Sequence, residues 1–180
     1  MAGTSAYPLE VRMLPKQIVG TIRDRVPVSD LDPWIAAAIH ELFARLAQQR
    51  IHPADEPFAI VSPPSGSETV DVEVALPAIR RVASRGRVTS RVLPACHALA
   101  TVHRGPYERL PAAYEALAAG MKEEGIEPLG DPREVYLTNP EETSPEKYET
   151  EVLWPVDVPV GWQPSSRRVS PRVHAGGSGR

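Results

Sequence analysis

The feature that most constrains this chain is a repeat within it. Asp71-Val-Glu-Val-Ala-Leu-Pro77 and Glu149-Thr-Glu-Val-Leu-Trp-Pro155 share alternation and a closing proline at an offset of 78, and Leu14-Pro15 and Leu93-Pro94 stand 79 positions apart. Matching segments in the same order at nearly one spacing indicate an internal duplication. Each copy reads as strand–helix–strand–strand, an α+β unit that leaves an apolar sheet face open when alone. Two copies, about 8–77 and 88–156, are expected to close on each other around a pseudo-twofold axis. The expected product is one curved antiparallel sheet with two long helices around a ligand cleft.

Local signals fill in each copy. Leu9 to Ile22 reads as a strand, or two short ones joined by a bulge. Asp32-Pro33 supplies a helix start, Asp as N-cap and Pro at the first helical position. Ile35, Ala38, Ile39, Leu42 and Leu46 follow as a buried stripe, and the helix is expected to end near Arg50. Phe58–Val61 and Val70–Leu76 read as strands, separated by a turn through Pro63-Pro64-Ser-Gly-Ser67. In the second copy Val88–Thr101 reads as a strand around Leu93-Pro94. A helix after Gly105-Pro106 then carries Leu110, Tyr114, Leu117 and Met121, with Gly125 as a left-handed stop. Glu134–Thr138 and Thr150–Val156 read as strands. The arginines between residues 80 and 91 read as a solvated connector. Residues 157–180, rich in Pro, Ser, Gly and Arg with only Trp162 to bury, read as a flexible tail beyond a single domain at 1–156.

Composition narrows the function classes. A formal charge of −3 argues against a dedicated nucleic-acid binder, which needs a positive field to neutralise phosphates. Cys96 is the single cysteine and the five histidines are scattered, so neither a disulfide framework nor a metal site is expected. No phosphate loop or nucleophile elbow is present, and no cofactor is expected. Without a signal-peptide pattern or a long apolar run, the expected location is the cytoplasm, away from membranes. Twenty prolines among 180 residues fit short strands joined by stiff turns.

His103-Arg-Gly-Pro-Tyr107 with the helix after it, Arg133-Glu-Val-Tyr-Leu-Thr-Asn-Pro140, and Thr150-Glu-Val-Leu-Trp-Pro-Val156 together resemble the GyrI-like small-molecule-binding family. The resemblance is strongest over 97–156 and extends over 8–156. That family includes effector-binding halves of multidrug-sensing regulators, a gyrase-inhibitory protein and stand-alone proteins, some of which hydrolyse strained-ring toxins. Strand signals begin by Leu9, so a helix-turn-helix segment ahead of the domain is not expected, and the tail has no counterpart in the resemblance.

The resemblance implies that Glu151, in the closing Thr-Glu-hydrophobic motif, lies at the base of a ligand cup. A carboxylate flanked by Val152 and Trp154 is costly to ionise without a partner, which a cationic ligand would supply. Glu73 is its mate in the repeat, although alternation alone turns Asp71 and Glu73 to solvent. Tyr107, Tyr136 and Tyr148 are candidate aromatic walls for planar or cationic ligands. Tyr136 is the leading one, because it shares a strand face with Glu134 and Thr138. Trp34, His40 and Phe58 are further candidates, whereas Trp154, opposite Glu151, reads as packing.

Three functions fit these residues. The first is a stand-alone binding protein that sequesters or senses lipophilic, planar or cationic small molecules. The second is a hydrolase of cyclopropane- or epoxide-bearing compounds, with Glu151 and Glu73 as candidate catalytic bases. The third is a protein-interaction role through the arginine-rich connector and tail.

Overall fold

The computed structural model describes residues 7–62, 66–162 and 169–172 of the chain. Most of the turn expected at 63–67, and much of the tail expected at 157–180, lie outside them. The first half comprises β1 (Leu9–Leu14), β2 (Gln17–Pro27), α1 (Leu31–Gln48), β3 (Phe58–Val61) and β4 (Thr69–Pro77). The second comprises β5 (Thr89–Leu93), β6 (Cys96–Arg104), α2 (Pro111–Glu124), β7 (Glu127–Pro128), β8 (Arg133–Tyr136) and β9 (Glu149–Asp157). A last strand, β10 (Val169–Arg172), follows.

All ten strands join one sheet in the order β10-β1-β6-β9-β8-β3-β4-β2-β5, with β7 beside β9. Leu9–Ile22 is two strands rather than one, and so is Val88–Thr101. The breaks fall at Pro15-Lys16 and Pro94-Ala95, where proline withholds a ladder donor. Each break sends the preceding strand to the other half. β1 pairs with β6 of the second unit, and β5 pairs with β2 of the first. The two units are thus tied together by an exchange of their leading strands.

The halves meet where β3 pairs antiparallel with β8, with Ala59 opposite Glu134. Helix and central-strand positions correspond at an offset of 75. Ile35, Ala38, Leu42 and Leu46 of α1 match Leu110, Ala113, Leu117 and Met121 at the start of and along α2, and all eight are buried. At that offset Ala59 corresponds to its own cross-strand partner Glu134, so the pseudo-twofold axis passes through this pair.

Both helices lie on one face of the sheet. α1 packs on Ile22, Val72 and Val74 around a first core, and α2 packs on Leu99, Val152 and Val156 around a second. The opposite face carries smaller apolar clusters, including Val19, Phe58 and Ala75 on one side and Ala98, Ala100 and Leu153 on the other. Each helix ends in a left-handed residue, Arg50 at φ 53° and Gly125 at φ 63°, followed by a buried isoleucine, Ile51 or Ile126.

Three local expectations are corrected. α1 starts at Leu31 with Asp30 as its N-cap residue, which leaves Asp32 in the first turn. Glu73 is buried rather than solvent-facing, because Arg23 and Arg91 close over it as ion-pair partners. The segment after Asp157 is not wholly separate from the domain. Val158 and Trp162 pack against the second core, and β10 runs parallel along β1.

Candidate functional site

A cavity of about 750 Å³ opens between α1 and the start of α2. Its volume lies within the range of drug-sized ligand sites. Ile35, Ala36 and Ile39 of α1 form one wall, and Tyr107, Leu110 and Tyr114 form the other. Glu134 and Tyr136 of β8 supply the floor. The loop after β8 adds Leu137–Pro140. That strap, residues 137–148, is longer than the segment at 62–68 that corresponds to it.

Strand parity explains why Glu134 faces the cavity. It is paired with Ala59 on β3 and Val152 on β9, both of which pack against the helix-side cores. At the axis, the first half contributes only the methyl group of Ala59, and the space above it is left to Glu134. Two phenols donate to this carboxylate: Tyr114 to Oε1, and Tyr136 to Oε2 at 3.0 Å. Burial raises the Glu134 pKa, and the two tyrosine hydrogen bonds oppose that rise. Burial likewise pushes the phenols of Tyr114 and Tyr136 up, and that of Tyr107 to about 12, so all three remain neutral.

The lining is acidic as well as aromatic. Asp32, Glu56 and Glu134 line the cavity together with His40, and no Lys or Arg is among the described residues that do so. Tyr107 stacks on Tyr148, with ring centroids 5.0 Å apart and an interplanar angle of 29°. It also meets Tyr136 edge-on at 6.0 Å. Behind this wall, His103 is buried and fixes the turn leading to α2. Its Nδ1 lies 2.9 Å from the Tyr7 hydroxyl and its Nε2 lies 3.0 Å from the Pro106 carbonyl oxygen. At the mouth, His40 on α1 lies 3.3 Å from Glu141 of the strap.

The residues singled out from sequence separate into two groups. Tyr107, Tyr136 and His40 line the cavity, and Tyr148 backs Tyr107 from outside it. Glu151, Glu73, Trp34 and Phe58 do not line it. Glu151 stands opposite Val135, on the face away from the helices, and pairs there with Arg12. Glu73 lies on that same face with Arg23 and Arg91. Trp34 packs against the first core beneath the Arg87 guanidinium, and Phe58 is buried with Arg133 over its ring.

Glu134, Tyr114, Asp32 and Glu56 line the cavity without having been singled out from the sequence. The signal for Glu134 was present, since it shares a strand face with Tyr136. In the sequence Tyr114 belongs to the apolar stripe of a helix and Asp32 stands at a helix start, and neither signal points to a ligand. Among the described residues no group of three His, Cys, Asp or Glu could hold a metal ion. No helix among them is long and apolar enough to cross a membrane.

Comparison with known proteins places this geometry. An EcmrR–DNA complex matches with a TM-score of 0.77 at 23% identity, covering 87% of this chain and 59% of that one. This chain therefore spans less than two thirds of the EcmrR chain. The C-terminal domain of EcmrR alone matches with a TM-score of 0.70 at 24% identity, covering 84% and 98% of the two chains. A hydrolase from Listeria innocua matches at 0.61 with 12% identity, covering 83% and 91%. SAV2435 bound to tetraphenylphosphonium matches at 0.55 with 13% identity, covering 84% and 93%. No curated protein matches the chain. The GyrI-like small molecule binding domain matches residues 7–157, nearly the whole of the two-unit fold, and the chain belongs to that family.

Proposed function

We propose that this protein binds lipophilic aromatic cations in the cavity between its two helices and so sequesters or senses them. The observation that carries this reading is Glu134. Its carboxylate lies at the cavity floor, accepts hydrogen bonds from the Tyr114 and Tyr136 phenols, and has no Lys or Arg among the described residues that line the cavity. A partly desolvated carboxylate of this kind gains most from a ligand that brings its own positive charge. The tyrosine faces add stacking and cation–π attraction. Tetraphenylphosphonium, the ligand of the structurally similar SAV2435, is a bulky aromatic cation of this chemical kind.

The hydrolytic alternative through Glu151 or Glu73 loses its base, because both carboxylates are ion-paired on the other face of the sheet. Activation of water inside the cavity would fall to Glu134 instead.

Titration of a planar cationic dye and its uncharged isostere, followed by ligand fluorescence, tests the binding reading. Glu134→Gln is expected to weaken the cation by roughly ten- to a hundredfold, equivalent to about 1 to 3 kcal/mol, and to leave the neutral dye unchanged. Equal affinity of wild type and variant for the cation would remove Glu134 from recognition.

A further inference from the structure

The face of the sheet away from the helices holds a buried charge that its neighbours leave unsatisfied. At the offset of 75, Phe58 and Arg133 are mates in the repeat, one residue before Ala59 and Glu134. Strand alternation therefore sets them behind the cavity floor, an aromatic ring from one half and a guanidinium from the other. Arg133 is only 7% exposed, and its guanidinium carbon lies 5.5 Å from the centroid of the Phe58 ring. The ring attracts the charge but offers no oxygen to the N–H donors.

The carboxylates beside Arg133 are engaged elsewhere. By register Ile60 stands between Arg133 and Glu73, and the next far-face residue of β8, Val135, faces Glu151. Arg23 and Arg91 each hold one oxygen of Glu73, at 2.7 and 2.8 Å, and Arg12 bridges Glu10 and Glu151. On the same face Arg25 pairs with Asp71 and Arg104 with Glu149. Arg133 joins none of these pairs. Among the described residues its guanidinium makes no hydrogen bond or ion pair, and its contact is the Phe58 ring. Burial lowers its pKa, Cys96 and Glu73 offset part of that, and Arg91 adds to it.

A guanidinium in this state is costly, and folded proteins meet such donors with water or a bound anion. The surroundings favour an anion with an apolar body. Phe58 and Leu153 are buried beside Arg133, and Ile60 and Val135 are only half-buried on this helix-free face. Water or an inorganic ion would match the charge and not the apolar surface.

We infer that this face holds a second binding site, in which Arg133 takes the carboxylate of a small organic anion and Ile60 and Val135 take its apolar body. The planar guanidinium grips a carboxylate bidentately. Arg133 and Glu134 are consecutive on β8, so the sites of opposite charge preference stand back to back through one strand. No residue of this second site lines the cavity, so the inference is independent of the cation reading.

Benzoate and its neutral isostere benzamide test the site, titrated calorimetrically into wild type, Arg133→Met and Arg133→Lys. Wild type is expected to bind benzoate about tenfold or more tightly than benzamide. Arg133→Met, which keeps the length of the side chain, should remove that preference, and Arg133→Lys should retain only part of it. On wild type alone, benzoate and not benzamide should shift the Arg133 Nε–Hε resonance, a readout that holds even where a variant does not fold. Absence of saturable benzoate binding means that water alone meets the guanidinium, and it overturns the inference. Equal affinity for the two compounds does so as well. Benzoate binding that survives Arg133→Met, or that leaves the Arg133 resonance in place, belongs to other arginines and also overturns it.

Discussion

Arg12 on β1 pairs with Glu151 on β9, and the duplication repeats this contact as Arg91 on β5 with Glu73 on β4, at 2.8 Å. The arginines stand 79 residues apart and the glutamates 78, so the two ion pairs are pseudo-symmetric copies. In both, the arginine belongs to the exchanged strand and the glutamate to the half that receives it. The resemblance points to Glu151, and the repeat to Glu73, as ligand residues; both carboxylates are ion-paired where a strand of one half joins the other.

Glu151→Gln is accordingly expected to affect stability and not cavity binding. The side chains of Arg12 and Glu151 are only 19% and 12% exposed, so removing the Glu151 charge leaves a poorly hydrated guanidinium with Glu10 as its remaining ion-pair partner. The expected loss is about 1 to 3 kcal/mol in urea unfolding, below the range for fully buried pairs. Cationic dye affinity should stay within about twofold of wild type. A large loss of dye binding in a stably folded variant would return Glu151 to the site.

Cation affinity should depend on pH through Glu134. Burial raises its pKa in the free protein, and a bound cation favours the ionised form and lowers it again. Binding then releases a proton, and affinity rises with pH until the pKa of the free protein is passed. The sign for folding is opposite. The contribution of this group to stability is largest below its unfolded pKa and falls as pH climbs toward the raised folded value. Calorimetry in buffers of different ionisation enthalpy should show proton release in wild type and none in Glu134→Gln.

The left-handed helix ends predict a stabilising substitution. Arg50 and Gly125 hold equivalent positions, but only glycine adopts positive φ without a Cβ clash. Arg50→Gly is expected to gain roughly 0.5 to 1 kcal/mol, and Gly125→Ala to lose about as much. Thermal melts of the two variants should move in opposite directions.

Trp162 provides a fourth check. It packs against the second core together with Tyr7 and Val158. Trp162→Ala should therefore cost about 1 to 2 kcal/mol. An unchanged melting temperature would show that the segment after Asp157 contributes nothing to the domain.

The two helices, the main strands of each unit and the stop at Gly125 were legible in local alternation, proline placement and backbone sterics, whereas β7 and β10 carried no such signal. The helix stripes from Ile35 to Leu46 and from Leu110 to Met121 were legible for the same reason. The sequence also established that Glu134 and Tyr136 share one strand face. It could not say which way that face looks. Alternation fixes the parity of a strand and leaves its sign to the neighbours, and here β8 takes its sign from Ala59 and Val152 under the helices. The same parity turns Glu151, opposite Val135, to the far face. The crossing of β1 and β5 between halves is not written locally, since strand exchange depends on long-range pairing across Pro15 and Pro94. That exchange brings Arg12 to Glu151 and Arg91 to Glu73, and the pairing of β3 with β8 places Glu134 beside Ala59 on the axis beneath the cavity.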